Sequence, residues 1–275
     1  MRRVRLRGPQ GIEHGVVEDG VVVTESATRI ELLDPYTLAL SAPYELLAPV
    51  AAPEIWCAGV TYERSRDARV EESAAKDFYT LVYEAPRPEL FLKDAGGRRT
   101  AGPGEPIGIR DDSTWNVPEP EIGLILGDHG TITGLTIGND VSSRDIEGAN
   151  PLYLPQAKIY AGACAIGPAV YEPERLDAPL QIHMRVTDES GRTHFEGNSF
   201  TANMRRSYAD LVEWLLIDNP VPAGSVLLTG TGLVPPDDFT LLPGHTVEIH
   251  VAEIGTLVNP VVRAAELMER STSHA

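Results

Sequence analysis

Two stretches of this chain place acidic side chains where they could do chemistry together. The first reads Val117-Pro118-Glu119-Pro120-Glu121-Ile122-Gly123-Leu124-Ile125-Leu126. In a strand, positions i and i+2 share a face, so Glu119 and Glu121 would lie side by side where the segment turns apolar. Adjacent carboxylates repel, and near a core they are costly unless a cation neutralises them. A small set of hard oxygen donors suits Mg²⁺ or Mn²⁺, with water or substrate completing the shell. The same letters would also suit a solvated strand end. The second stretch runs Ile137-Gly138-Asn139-Asp140-Val141-Ser142-Ser143-Arg144-Asp145-Ile146-Glu147-Gly148. Asp140 offers a third carboxylate, although a plain turn at Asn139-Asp140 and a surface ion pair at Arg144 would account for these residues too.

Two further stretches offer groups that could face a substrate. Asn150–Gly162 is a Pro-rich loop that ends in Lys158, framed by apolar residues. Such a lysine is desolvated or paired more often than a surface one. Thr229-Gly230-Thr231-Gly232 follows the apolar run Val226–Leu228. Glycines there let backbone N–H groups and threonine hydroxyls approach an anion closely; a tight β-turn needs the same residues.

Holding these groups in place falls to a β-rich α+β framework. Short apolar runs alternate with Gly and Pro: Ile55–Val60, Glu121–Leu126, Gly134–Gly138, Leu180–Val186, Val226–Leu228 and Val247–Val251. Two segments read as helix, the Gly- and Pro-free stretch 63–84 and Tyr208–Ile217. The pattern lacks the regular strand–helix alternation of a doubly wound fold. Residues 1–50 read as a small N-terminal α/β region with a hairpin over Val16–Thr24, and Ala48–Pro53 reads as a linker to the main unit, 53–275.

Composition narrows the function classes. The formal net charge of −17 disfavours phosphate backbones, so no nucleic-acid partner is expected. An acidic protein binding an anionic substrate needs a local inversion of the field, for which a metal ion is suited. No apolar run approaches the ~20 residues of a membrane span. The basic start Met1–Arg7 lacks the apolar region of a signal peptide, and Cys57 and Cys164 are too few for a disulfide framework; a cytoplasmic protein with reduced thiols is expected.

Taken in order, the E-x-E strand, the N-D-V-S-S-R-D segment, Lys158 and the G-T-G turn resemble the fumarylacetoacetate hydrolase (FAH) superfamily over about residues 53–262. The resemblance implies a mixed β-roll catalytic domain and one Mg²⁺ or Mn²⁺ on Glu119, Glu121 and Asp140. It also implies substrate contact by Lys158 and Thr231. Hydrolytic members carry N-Y-x-x-H-x-x-E after the first core strand. Here the stretch is Thr61-Tyr62-Glu63-Arg64-Ser65-Arg66-Asp67-Ala68, with Ser65 in place of the His and Ala68 in place of the Glu. Without that dyad, water activation lacks its base, unless Glu71 or Glu72 substitutes. The histidines elsewhere form no comparable motif.

Arg87–Lys93, Trp115–Glu121, Asp145–Gly148 and Asn150–Lys158 are similar to the sugar-acid dehydratases of the superfamily. This implies metal-dependent loss of water from a 2-keto-3-deoxy sugar acid. Glu147 and Lys158 then become the candidate proton carriers, and Ser65, Arg66 and Arg144 further substrate contacts, with Arg87 and Lys93 weaker ones. A helix N-cap would equally explain Ser65. The competing expectation is a C–C hydrolase or decarboxylase of acylpyruvate- or oxaloacetate-type acids on the same scaffold. The resemblance also implies a homodimer or homotetramer.

Overall fold

The computed structural model describes residues 1–64 and 81–272. Residues 1–50 form β1 (Arg2–Gly8), β2 (Gly11–Glu18), β3 (Val21–Thr24), β4 (Arg29–Asp34), β5 (Ala39–Leu40) and β6 (Glu45–Leu47). They contain no helix, so the α/β character expected there is corrected to all-β: alternating apolar residues broken by Gly and Asp turns favour strands. The expected hairpin is β2–β3. It turns through Asp19 (φ 47) and Gly20 (φ 81), the left-handed pair that a two-residue turn requires.

The remainder supplies β7 (Glu54–Gly59), β8 (Glu89–Ala95), β9 (Thr100–Ala101), β10 (Ile107–Ile109), β11 (Asn116–Val117), β12 (Pro120–Leu126), β13 (Ile132–Asp140) and β14 (Ser142–Ser143). These are followed by β15 (Cys164–Tyr171), β16 (Gln181–Thr187), β17 (Thr193–Phe200), β18 (Val226–Leu228), β19 (Thr246–Val251) and β20 (Gly255–Arg263). A large mixed sheet runs β5-β4-β3-β2-β1-β15-β13-β12-β18-β7-β8. The N-terminal strands join it where Arg2 and Arg3 of β1 pair with Tyr171 and Val170 of β15. A second sheet runs β10-β20-β19-β16-β17.

The two sheets share one apolar core. Ile122, Leu124 and Leu126 of β12 and Leu135 and Ile137 of β13 cluster with Ile182, Met184, Val247 and Ile249 of the second sheet. Ile125 points to the opposite face and joins Ile55, Cys57, Cys164 and Val226. β12 is therefore buried on both faces and reads as a continuous apolar run. The helix Tyr208–Leu216, capped by the Ser207 side chain, adds Leu211 and Leu215, one turn apart on its buried face. Ala48, Val50 and Ala52 pack against the core, so the Pro/Ala-rich stretch is seated rather than free.

This topology brings several strand ends to one place. Pairing of Pro120 with Asn139 sets the start of β12 beside the end of β13. Gly123 pairs with Leu228, so the end of β18 lies next to the same spot. β7 runs parallel to β18 and finishes there, and β8 begins there. Leu124 is wholly buried at the centre of this arrangement. Leu124→Ala is expected to lower unfolding stability by about 2–5 kcal/mol, seen as a shift of the urea midpoint without a change in slope.

Candidate active site

Backbone pairing builds the acidic centre. The Asp140 amide donates to the Glu119 carbonyl at 3.0 Å, directly across the β12–β13 ladder, and Glu121 lies two residues further along β12. The Asn139 side chain accepts from the Glu119 amide at 3.1 Å and fixes that corner. Carboxylate oxygens of Glu119, Glu121 and Asp140 lie within 4.8 Å of one another, and all three residues are buried.

Three buried cations answer them. Lys158 Nζ donates to Glu119 Oε2 at 2.8 Å, Asp140 Oδ2 at 3.0 Å and Ser142 Oγ at 2.5 Å, and sits 5.8 Å from the centre of the Phe91 ring. Lys93 pairs with Asp140 Oδ1 and donates to the Val141 carbonyl at 3.1 Å. Arg144 Nη1 donates to Glu119 Oε1 at 3.2 Å. Local folding delivers each cation. Lys158 ends a five-residue helix (Leu154–Lys158) preceded by a turn in which Asn150 accepts from the Leu152 amide. Arg144 and Glu147 are three residues apart on the helix Arg144–Ala149, and both turn inward. Asp145 faces the other way and clamps Ser113 and Thr114, with its carboxyl held below the ordinary range by those bonds despite partial burial.

Glu121 differs from its neighbours. The Gly230 amide donates to it at 2.7 Å, and among the described residues no lysine or arginine forms a salt bridge with it. Burial, reinforced by Asp140 and Glu119, pushes its carboxyl well above the ordinary range. Burial also pushes Asp140 up, but Lys158 and Lys93 outweigh it and hold that carboxyl low. A buried carboxylate with two acidic neighbours and no salt-bridged base among the described residues, in a set of three hard oxygen donors, fits a divalent cation such as Mg²⁺.

The G-T-G turn closes the site. Thr229 is anchored to the Ile122 carbonyl through its amide and hydroxyl, both at 3.0 Å. Gly230 (φ +88) has no room for a side chain: a Cβ would come within 2.1 Å of Thr61 Oγ1 and 2.9 Å of the Ala58 carbonyl. The anion that its N–H approaches is the protein's own Glu121. The cavity is lined by Gly59, Val60, Glu89, Phe91, Glu119, Glu121, Asp140, Glu147, Lys158, Gly230 and Thr231, together with Ala58.

The structure thus brings Glu119, Glu121, Asp140, Glu147, Lys158 and Thr231 to one cavity. The Thr231 hydroxyl is engaged with the Leu233 backbone at 3.2 Å. Lys93 and Arg144, read from sequence as substrate contacts, are corrected here. Both sit behind the carboxylates at 0% and 2% exposure and are absent from the cavity wall, because buried acids capture buried bases. Arg87 stacks on Trp214 at 4.5 Å instead of entering the cavity. Ser65, Arg66, Glu71 and Glu72 lie outside the described residues.

Sequence reading missed Ser142 as a Lys158 partner, Glu89 on the cavity wall, and Val60. Val60 is a β-branched residue at φ 52 beside the site, where strain of order 1–3 kcal/mol is stored. No local pattern announces a backbone outlier.

Residues 54–262 match the model described as fumarylacetoacetate (FAA) hydrolase C-terminal. The chain belongs to this family. Over 214 residues, 78% of this chain and 73% of the relative, it is 51% identical to a probable 2-keto-3-deoxyxylonate dehydratase of Haloferax volcanii. Over 225 residues, 80% and 75% of the two chains, it is 44% identical to the 2-dehydro-3-deoxy-D-arabinonate dehydratase of Saccharolobus solfataricus. A solved 2-keto-3-deoxy-D-arabinonate dehydratase, complexed with magnesium and 2,5-dioxopentanoate, superposes with a TM-score of 0.79 at 34% identity, covering 96% of this chain and 99% of that one. The mixed-sheet family fold read from the motifs is the fold observed.

Glu121 sets a pH signature for the EDTA-treated protein. A carboxyl raised in the folded state supports stability below the unfolded value of about 4.3 and loses that support as pH rises through its folded value. Glu121→Gln is therefore expected to be more stable than wild type at neutral pH without metal. The gap should close towards pH 4, and the rise in melting temperature on adding Mg²⁺ should disappear. Thermal melts across pH, with and without Mg²⁺, provide the measurement; equal stability of the two proteins at pH 7 would contradict the assignment.

Proposed function

We propose that this protein is a metal-dependent hydro-lyase that converts 2-keto-3-deoxy-D-arabinonate into 2,5-dioxopentanoate and water. The carrying observation is the buried Glu119–Glu121–Asp140 triad with Lys158 and Glu147 on the same cavity. Relatives named for this chemistry support the choice of substrate. Their two names reduce to one compound in the D series. Loss of the C2 and C3 stereocentres leaves only C4, which D-xylonate and D-arabinonate share.

Glu119, Glu121 and Asp140 would hold Mg²⁺, or Mn²⁺, which when bound supplies Lewis-acid polarisation of the 2-keto group. The chain's own residues carry the protons. A C3 hydrogen, acidified by the neighbouring ketone, leaves to a base, and the C4 hydroxyl departs with a proton as water, forming the C3–C4 double bond. Loss of one proton from C5 and one from its hydroxyl, with return of one proton each to C3 and C4, then yields the aldehyde. Lys158 and Glu147 are the side chains we assign to this traffic, because both line the cavity and both are buried. Thr231, and Ser65 and Arg66 on the segment outside the described residues, are the proposed substrate contacts.

The remaining expectations belong to the same proposal. All of the acid–base and metal groups lie in the unit 53–275, with residues 1–50 as a small N-terminal domain. Buried free thiols at Cys57 and Cys164 suit a reducing, cytoplasmic compartment. No helix among the described residues is long and apolar enough to cross a membrane. A homodimer or homotetramer acting on a small 2-keto acid completes the reading.

Proton NMR of the protein with Mg²⁺ and 2-keto-3-deoxy-D-arabinonate is expected to show EDTA-sensitive 2,5-dioxopentanoate. Acylpyruvate and oxaloacetate should be left intact. Cleavage of acylpyruvate without dehydration of the sugar acid would replace this reading with the C–C hydrolase. Glu147→Gln and Lys158→Ala are each expected to lower turnover by about 10²–10⁴-fold. In D₂O, a variant that exchanges the C3 hydrogen without eliminating water has lost the acid; one that does neither has lost the base.

A further inference from the structure

The oxygens that would hold the metal already have a tenant. Lys158 bonds Glu119 Oε2 and Asp140 Oδ2 at once, while the triad oxygens lie within 4.8 Å of one another. A divalent ion serving all three carboxylates must claim oxygens from the same two residues. Lys93 and Arg144 hold the other oxygens, Asp140 Oδ1 and Glu119 Oε1, from behind. Both are as buried as the acids and line no part of the cavity. Lys158 is the cation on the cavity side, with a second tether at Ser142 and the Phe91 face beside it.

We infer that Lys158 is a placeholder for the metal: its ammonium and the divalent ion compete for Glu119 and Asp140. Metal entry releases Lys158 from both carboxylates into the cavity. The inference rests on the metal site proposed above and adds a coupling to it. Two consequences follow from charge alone. The carboxylates stay neutralised and ordered without the metal, so the site does not depend on metal to fold. Whatever Lys158 subtracts from metal affinity, the metal subtracts equally from the hold of the carboxylates on Lys158. Binding therefore delivers the amine to the place where the substrate lies.

The test measures Mn²⁺ binding by electron paramagnetic resonance on EDTA-stripped, full-length protein without substrate. Lys158→Met is expected to bind Mn²⁺ roughly tenfold more tightly than wild type, the scale of a typical coupling between two ligands. Lys158→Arg, which keeps the charge, should bind no more tightly than wild type. Equal or weaker binding by Lys158→Met would overturn the inference, because a lysine that merely orders the carboxylates helps the metal. Should that variant fail to fold, wild type decides. Trace acetylation of Lys158, followed by peptide mass spectrometry, is expected to rise several-fold on adding Mn²⁺, and an unchanged or reduced rate refutes the competition. Wild type that binds no Mn²⁺ at all would instead remove the metal site on which the inference stands.

Discussion

Three carboxylates closed off from water at one end of an antiparallel strand pair set the terms for the rest of this structure. Moving one ion into a low-dielectric interior costs several kcal/mol unless partners repay it. Lys93 arrives from the edge strand β8, Arg144 from a six-residue helix and Lys158 from a five-residue helix after a Pro-rich turn. Lys93 pairs with Asp140, Arg144 with Glu119, and Lys158 bridges both. The apolar length of β12, buried on both faces, keeps the acidic corner from moving towards solvent. The turn at Gly230 supplies the last neutralising dipole, its N–H, to Glu121.

Charge explains how so acidic a protein could take an anionic substrate. The chain carries a formal net charge of −17. Among the described residues of the site, four buried acids (Glu119, Glu121, Asp140 and Glu147) face the buried bases Lys93, Arg144 and Lys158. One divalent ion among them would shift the buried cluster towards positive charge. A keto-acid carboxylate would then meet an attractive field confined to the cavity, because the surrounding low dielectric limits screening.

Much of this was legible in the sequence where chemistry and local pattern coincide. Glu119 and Glu121 announce themselves by period-two spacing, and Asp140 by ending a strand that the β-rich pattern sets nearby. The hairpin at Asp19-Gly20 and the helix from Tyr208 follow from turn and capping rules. What stayed hidden depends on pairing across long separations. Lys93 looks like a substrate contact until the strand order puts it behind Asp140, 47 residues on. The Gly230 N–H looks ready for a bound anion until β18 brings it to Glu121. A single sequence does not show which acid a given base will meet, since ion-pair partners are chosen by fold register.

The residues kept and replaced along the chain also bear on why this scaffold would run an elimination rather than a hydrolysis. Hydrolysis of a carbon–carbon bond needs a water molecule activated next to the reacting carbon. The sequence carries Ser65 and Ala68 where hydrolytic relatives carry the His and Glu that do this. Elimination needs no added water; it needs a base near C3 and an acid near the departing C4 hydroxyl. Lys158 and Glu147 come from two short helices that pack against each other, and both line one cavity, where the proposed reading gives them the two proton transfers. Keeping the triad while losing the water-activating pair leaves the acidified C3 hydrogen as the reactive point, and dehydration is the reaction that starts there.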